Sequence, residues 1–308
     1  MGEHDPVLAD EVRAALDLKS GGCYVDATFG RGGHTARTLA ALGGEGRVLA
    51  LDRDPQAIQA GRERFQQDLR LTLVHSTFAD LGRVLSQYAP GRAPDGVLFD
   101  LGVSSPQLDE ARRGFSFRAD GPLDMRMDPT SGQPVADWLA GASVDEMREV
   151  IATLGEERFA RRVALAIAAA RQREPLTRTL QLAQVVAAAV RTREPGKHPA
   201  TRTFQALRMF INDEPGQLAR GLEAALAAVA PGGRIAVISF HSLEDRVVKQ
   251  FFEKHSSIDP ALKRLPIIPP TATPPLKLVG KKLKPSAAEL ERNPRSRSAI
   301  LRVAEKVA

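Results

Sequence analysis

Short apolar segments alternate with amphipathic segments through the first hundred residues of the chain. Each apolar segment ends in a small or polar residue, as buried strands do. The four apolar segments are residues 23–28, 47–52, 71–75 and 95–100. Apolar positions at helical spacing occupy residues 34–42 and 55–69 between the first three segments. This alternation predicts an α/β fold with a doubly wound parallel sheet.

The alternation stops after the fourth predicted strand. Residues 107–203 contain loops and helical patterns, and the spacing of Ser143 and Glu146 predicts a capping box at the start of one helix. Two further helical segments are residues 156–171 and 179–190. We therefore predict an inserted helical substrate-recognition domain at 107–203, within a cofactor-binding domain formed by 1–106 and 204–308.

The chain then returns to the predicted sheet. Residues 204–230 carry a helical pattern, which Pro231-Gly232-Gly233 ends. Residues 234–240 predict a fifth strand, and residues 298–303 predict a terminal strand. The proline-rich stretch at 256–275 predicts an irregular loop.

Composition narrows the class of protein. Of 308 residues, 43% are hydrophobic and 26% are charged, which is typical of a globular protein. Cys23 is the only cysteine, which excludes an internal disulfide and a CxxC zinc site. No apolar run approaches the roughly 18 residues of a membrane span. We expect a cytoplasmic protein without a metal or a membrane partner, while the oligomeric state is left open.

The basic residues are clustered. The formal net charge is only +6, yet residues 158–202 contain nine arginines and one lysine against two glutamates. Residues 261–308 contain eleven basic residues against three glutamates. Two such regions favour contacts with RNA phosphates, and the donor-rich loop at 191–199 favours irregular RNA over duplex DNA. Phe115 and Phe117 fit either stacking on an unpaired base or burial in the core.

A glycine-rich loop at residues 26–35 follows the first predicted strand and opens a helix. Such a loop lets the backbone approach a nucleotide-like ligand. Thr35 stands where the dinucleotide-binding fingerprint requires its third glycine, which disfavours a nicotinamide or flavin cofactor.

Carboxylates end two of the predicted strands. Asp52 ends the second strand about 20 residues after the loop, where a carboxylate accepts hydrogen bonds from ribose hydroxyls. Phe78 follows the third strand and Asp100 ends the fourth, and we expect both at the same edge of the sheet, flanking adenine and methionine groups. Phe78 alone fits a core aromatic equally well. Carboxylates without a phosphate-binding loop favour a cationic sulfonium, S-adenosylmethionine, over a pyrophosphate.

Eight longer motifs lie along the chain: TFGRGGH at 28–34, LDRDPQA at 51–57, LGVSSPQLD at 101–109, RGFSF at 113–117, DGPLDMRMD at 120–128, KHPATRTFQA at 197–206, ISFHSLEDR at 238–246 and NPRSRS at 293–298. Together they resemble the motifs of the bacterial 16S ribosomal RNA (cytosine-N4) methyltransferase family.

The resemblance implies a class I, Rossmann-like methyltransferase fold with an inserted domain, and S-adenosylmethionine as methyl donor. It also implies that the substrate is a cytosine in the decoding region of 16S ribosomal RNA, within the small ribosomal subunit. It also places the cofactor contacts at Gly32, Gly33, His34, Asp52, Phe78, Asp100 and Gln107.

Asp100 and His241 are the candidate catalytic residues. Asp100 stands where amino-methyltransferases place a polar residue before Pro-Pro-aromatic, but here residues 101–106 read LGVSSP. This departure leaves Asp100 with two candidate roles, as acceptor for the substrate amine or as partner of the cofactor's ammonium. His241 follows the fifth strand as a candidate proton acceptor, base-stacking group or structural hydrogen-bonder.

Two other functions are alternatives to methyl transfer. A nicotinamide-dependent oxidoreductase shares the spacing of Asp52 but lacks the third glycine and gives no reason for the basic insert. A ribosome-assembly factor that binds RNA without chemistry would retain the fold, although intact Gly32, Gly33, Asp52 and Asp100 disfavour a lost cofactor site.

Overall fold

A computed structural model describes residues 6–190, 196, 198–258 and 273–307. The chain divides into two compact units. The first unit comprises Met1–Gly102 and Pro215–Ala308, and the second comprises Val103–Glu214.

The first unit is built on a seven-stranded sheet. Its strands are β1 (Cys23–Asp26), β2 (Arg47–Asp52), β3 (Leu71–His75), β4 (Gly96–Asp100), β5 (Arg234–Ser239), β6 (Leu276–Leu278) and β7 (Ile300–Lys306). They lie in the order β3-β2-β1-β4-β5-β7-β6. Strands β1 to β5 are parallel, and β7 is antiparallel to both β5 and β6.

The central strands β1, β2, β4 and β5 are buried on both faces, which explains why they are continuous apolar runs. Alternate residues of β4 contribute to two separate cores, since Val97 and Phe99 belong to one and Leu98 to the other. Helices cover the faces of a sheet with this pattern. The helices of the first unit are α1 (Ala9–Leu16), α2 (Gly33–Ala41), α3 (Pro55–Arg64), α4 (Leu81–Tyr88), α11 (Glu214–Ala228), α12 (Ser242–His255) and α13 (Ala287–Arg292).

The second unit is helical in its described part, apart from one isolated bridge between Pro122 and Arg178. Its helices are α5 (Ser105–Asp109), α6 (Val135–Gly141), α7 (Val144–Gly155), α8 (Ala160–Arg171), α9 (Thr179–Ala189) and α10 (Thr201–Ile211). The predicted capping box is present, because Ser143 accepts the N–H of Glu146 and the Glu146 carboxylate accepts the N–H of Ser143.

The boundaries between the units differ from the predicted ones at residues 106 and 203. The second unit extends to Glu214 because Phe204 and Leu207 of α10 are buried in its core. A positive φ of 48° at Asp213 then separates α10 from α11, where the helical pattern had predicted one continuous segment at 204–230.

Several other elements differ from the prediction. Strand β1 is shorter than residues 23–28, and β7 continues to Lys306. The short edge strand β6 and the helices α1 and α13 were not predicted. Of the donor-rich loop at 191–199, residues 191–195 and 197 lie outside the described residues, as do residues 259–272 of the proline-rich stretch. Within the described part of the chain, no helix combines the length and the apolar character needed to span a membrane.

Candidate cofactor-binding site

The glycine-rich loop forms a tight turn between β1 and α2. Gly30 and Gly32 have φ angles of 54° and 72°, a region that favours glycine. A Cβ at Gly32 would lie 2.7 Å from the rings of both Phe29 and Phe65. The N–H of Gly32 also donates to the carbonyl of Phe29 at 2.7 Å. The turn therefore requires glycine at position 32 for both its backbone angle and its packing.

The carboxylate of Asp52 fixes the outer side of this turn. One oxygen accepts the N–H of Gly30 at 2.7 Å, and the other accepts the N–H of Asp54 at 2.8 Å. Burial raises the pKa of Asp52 to about 6, since the cost of desolvating the charge outweighs these two hydrogen bonds, which lower it. Each oxygen keeps a further lone pair, so the ionised carboxylate can accept two more hydrogen bonds.

A second carboxylate, Asp26, lies beneath the turn and was not singled out by sequence analysis. It is buried and accepts the hydroxyl of Thr35 at 2.7 Å and the N–H of Thr28 at 3.2 Å. Burial raises its pKa, although the hydrogen bond from Thr35 opposes the shift. Its position at the end of an apolar strand, as for Asp52 and Asp100, is the signal that marks it.

Asp100 lies at the end of β4, next to β1. Its N–H donates to the hydroxyl oxygen of Thr28 at 2.6 Å, which ties this strand end to the glycine-rich turn. One carboxylate oxygen lies 3.6 Å from Nε2 of His34. The other oxygen, Oδ1, is buried and accepts no hydrogen bond from any residue that the structure describes. A buried carboxylate oxygen without a hydrogen-bond donor is suited to bind a cationic group of a ligand.

The ring of Phe78 follows β3 and is partly buried. It packs edge to face against Phe99, with ring centroids 5.6 Å apart. Gly221 of α11 lies against both rings, because a Cβ there would be 2.7 Å from Phe78 and 3.2 Å from Phe99. The core thus fixes one side of Phe78, while part of the ring stays accessible to a flat ligand.

His241 occupies the N-cap position of α12. Its Nδ1 accepts the N–H of Glu244 at 3.3 Å, while the Glu244 carboxylate accepts the N–H groups of Phe240 and His241 at 2.8 and 3.3 Å. The neutral ring therefore carries its proton on Nε2. Nε2 lies 3.0 Å from the Glu244 carboxylate, but the angle is not that of a hydrogen bond. The role of Glu244 was not predicted, although its three-residue spacing from His241 is that of a capping box.

Three further predicted residues lie in the second unit. Gln107 is buried, and its side-chain oxygen accepts the N–H of Ser104 at 2.9 Å in a capping box at α5. Phe115 is buried, whereas Phe117 is partly exposed and contacts the rings of His198 and Phe204, each with centroids 4.7 Å away.

The residues at the strand ends of the first unit fit S-adenosylmethionine. Asp52 offers acceptors for two hydroxyls, Asp100 offers an unsatisfied acceptor for a cation, and the turn offers backbone without side chains. The strand order, with β7 antiparallel between β5 and β6, differs from the order 3-2-1-4-5-6 of dinucleotide-binding folds. Fold and site together define a class I methyltransferase that depends on S-adenosylmethionine.

Comparison with known proteins identifies the family within this class. Residues 1–307 match the model of the MraW methylase family, and the chain belongs to that family. A protein of Thiobacillus denitrificans named ribosomal RNA small subunit methyltransferase H is 57% identical, over 99% of this chain and 97% of its own length. A protein of the same name from Dechloromonas aromatica is 53% identical, over 99% of this chain and 98% of its own length.

Proposed function

We propose that the protein transfers the methyl group of S-adenosylmethionine to the exocyclic N4 amine of a cytosine in the decoding region of 16S ribosomal RNA. The observation that carries this proposal is the 57% identity, across nearly the whole chain, to a relative named as a methyltransferase of small-subunit ribosomal RNA. The N4 amine and the decoding region follow from the family resemblance of the eight sequence motifs.

Residues at the carboxyl edge of the sheet would hold the cofactor. The ionised Asp52 would accept both ribose hydroxyls with its free lone pairs, and the accessible face of Phe78 would lie against the adenine. The amino end of α2, which begins at Gly33, favours the cofactor's carboxylate. Asp100 would pair with the ammonium through its unsatisfied oxygen.

The reacting amine needs positioning more than activation by a strong base. The lone pair of the N4 nitrogen is delocalised into the ring, so the nitrogen attacks only when it is aligned with the methyl carbon. When bound, S-adenosylmethionine would supply an electrophilic methyl group and take up the bonding electron pair at sulfur, and the methylated nitrogen would release one proton to solvent. In one candidate role the carboxylate of Asp100 orients the substrate amine. In the other it holds the cofactor's ammonium and so helps to fix the position of the methyl group.

The second unit offers an exposed basic surface for RNA. Arg161 and Arg162 lie in the first turn of α8, and Arg158 precedes the helix. All three are exposed, and none forms an ion pair with a residue that the structure describes. Unpaired arginines of this kind bind phosphates, and each contact adds a salt-dependent contribution to affinity. The target base must also leave its stack to reach the cofactor, which is less costly in irregular RNA.

The test uses small ribosomal subunits from cells that lack the modification, with free 16S ribosomal RNA in parallel. Each is incubated with the protein and S-adenosylmethionine, and the digested RNA is analysed for N4-methylcytidine by mass spectrometry. We expect the product with the assembled subunit. Product only on free RNA would contradict the subunit as substrate. Cofactor binding without product on either would contradict the proposed substrate, and a failure to bind cofactor would favour an assembly factor without chemistry.

A further inference from the structure

The segment that precedes α1 has an unusual backbone. Leu8 has φ 54° and ψ 39°, the left-handed region that leucine rarely adopts. Its side chain is fully buried in the same core as Phe29 and Leu39. A strained residue of this kind persists only where the surrounding structure holds it in place.

A carboxylate from the opposite end of the chain holds this segment. The backbone N–H of Leu8 donates to Oε1 of Glu289 at 2.7 Å, across 281 residues of sequence, and the hydrogen bond is buried. Glu289 lies in α13, and its own N–H donates to the hydroxyl of Ser286, which caps that helix. The hydrogen bond is therefore made by a buried charged acceptor that its helix fixes in position.

The same segment lies against the glycine-rich turn. An ideal Cβ at Gly33 would lie 3.0 to 3.4 Å from three ring carbons of Pro6. Gly33 is the first residue of α2 and directly follows Gly32, whose backbone has φ 72°. The space beside Gly33 is thus filled by the proline ring, which limits movement of the turn toward that side.

We propose that residues 6–8 form a strap that fixes the glycine-rich turn in its cofactor-binding position, and that Glu289 is the positioning residue that holds the strap. The proposal rests on the assignment of this turn to S-adenosylmethionine. Glu289 acts through Leu8 and Pro6, so its loss leaves every residue of the cofactor site in the chain but frees the turn to move.

The test compares Glu289→Ala with Glu289→Gln, whose amide oxygen can still accept the N–H of Leu8. The probe is S-adenosylhomocysteine, with its affinity measured by calorimetry. We expect Glu289→Ala to weaken binding by about tenfold, the size of a lost hydrogen bond to a charged acceptor. Glu289→Gln should stay within about threefold of the parent protein. Amide hydrogen exchange at residues 33–35 should be faster in Glu289→Ala alone.

Glu291→Ala is the matched control, because it removes an exposed carboxylate from the same helix and leaves both the acceptor for Leu8 and the cap of α13. Equal losses of affinity in Glu291→Ala and Glu289→Ala, at equal melting temperatures, would reduce Glu289 to a general structural role and overturn the proposal. Unchanged affinity and unchanged exchange in Glu289→Ala would also overturn it.

Pro6→Gly tests the strap if Glu289→Ala does not fold, since it removes the ring beside Gly33 from a partly buried position. Weaker binding of S-adenosylhomocysteine by this variant supports the strap, and parental affinity contradicts it. A parent protein that fails to bind S-adenosylhomocysteine would contradict the cofactor assignment itself, which is a separate outcome from failure of the strap.

Discussion

The carboxylate of Asp52 and the backbone of Gly30 are joined by a hydrogen bond of 2.7 Å, although 22 residues separate them in sequence. This bond connects the end of β2 to the turn after β1, the two features from which the cofactor was inferred. The carboxylate is half-buried and its charge is costly to desolvate, so the pKa of Asp52 rises to about 6 although the hydrogen bond from Gly30 lowers it.

We expect cofactor affinity to fall as the pH decreases below about 6, the pKa of Asp52. The ionised carboxylate is the form that accepts both ribose hydroxyls, so binding favours loss of the proton and strengthens as the pH rises through that value. Well below the pKa, affinity should fall by about tenfold for each pH unit. Calorimetry with S-adenosylhomocysteine between pH 5 and 7.5 measures this change. Asp52→Asn should bind S-adenosylhomocysteine more weakly and with little pH dependence. If affinity in that variant depends on pH as it does in the parent protein, another group is responsible for the pH dependence.

Gly32→Ala should destabilise the protein by about 1–3 kcal/mol and weaken cofactor binding, because alanine is strained at its φ of 72° and its Cβ meets two aromatic rings. Gly44→Ala is the matched control. Gly44 has no positive φ and nothing within 4 Å of its added Cβ, so it should keep parental stability and affinity. Chemical denaturation and calorimetry on both variants check this, and a well-tolerated alanine at position 32 would contradict the described turn.

Replacement of Asp100 by Ala should reduce methyl transfer by at least about 100-fold, the cost of misplacing reacting groups. If the carboxylate holds the cofactor's ammonium, affinity for S-adenosylhomocysteine should fall as well. If it orients the substrate amine, affinity should remain and only turnover should fall. Asp145→Ala, which changes an exposed carboxylate on α7, serves as the control. Near-normal turnover together with near-normal affinity in Asp100→Ala would exclude both roles.

His241→Ala should lower the free energy of unfolding by about 1 kcal/mol, because it removes an N-cap. His241→Asn provides another good N-cap, so we expect it to restore stability. The two variants separate the structural role from the catalytic one. If His241→Asn restores both stability and methyl transfer, the capping role of His241 is sufficient to explain its effect on activity. If His241→Asn is stable but inactive, the imidazole takes part directly in methyl transfer.

The double replacement of Arg161 and Arg162 by Ala should weaken binding to the substrate RNA without changing cofactor affinity. The slope of log affinity against log salt concentration should decrease by about 0.7 for each phosphate of single-stranded RNA that the variant no longer neutralises. Filter binding at several salt concentrations measures this slope. Arg148→Ala is the control, since this arginine lies 3.5 Å from Asp145 and its charge is partly compensated. An equal slope in the double variant and the parent protein would show that these arginines do not contact the RNA phosphates and that another surface binds the RNA.

The parallel core of the fold and most of the candidate site could be predicted from local patterns of residues. The apolar runs that became β1 to β5 are local patterns, and a carboxylate at the end of such a run lies at the carboxyl edge of a parallel sheet whatever the rest of the chain does. For this reason Asp52 and Asp100 were found without the structure, and the motifs placed the glycine-rich turn beside them.

Features that depend on contacts between distant residues could not be predicted from local patterns. The three residues of β6 carry no periodic signal, and pairing with β7 is what makes them a strand. The helical pattern at 204–230 did not indicate that α10 is buried in the second unit. The hydrogen bond from Leu8 to Glu289 joins opposite ends of the chain. Residues so far apart leave no common spacing in the sequence, because their contact arises only when the folded core brings them together.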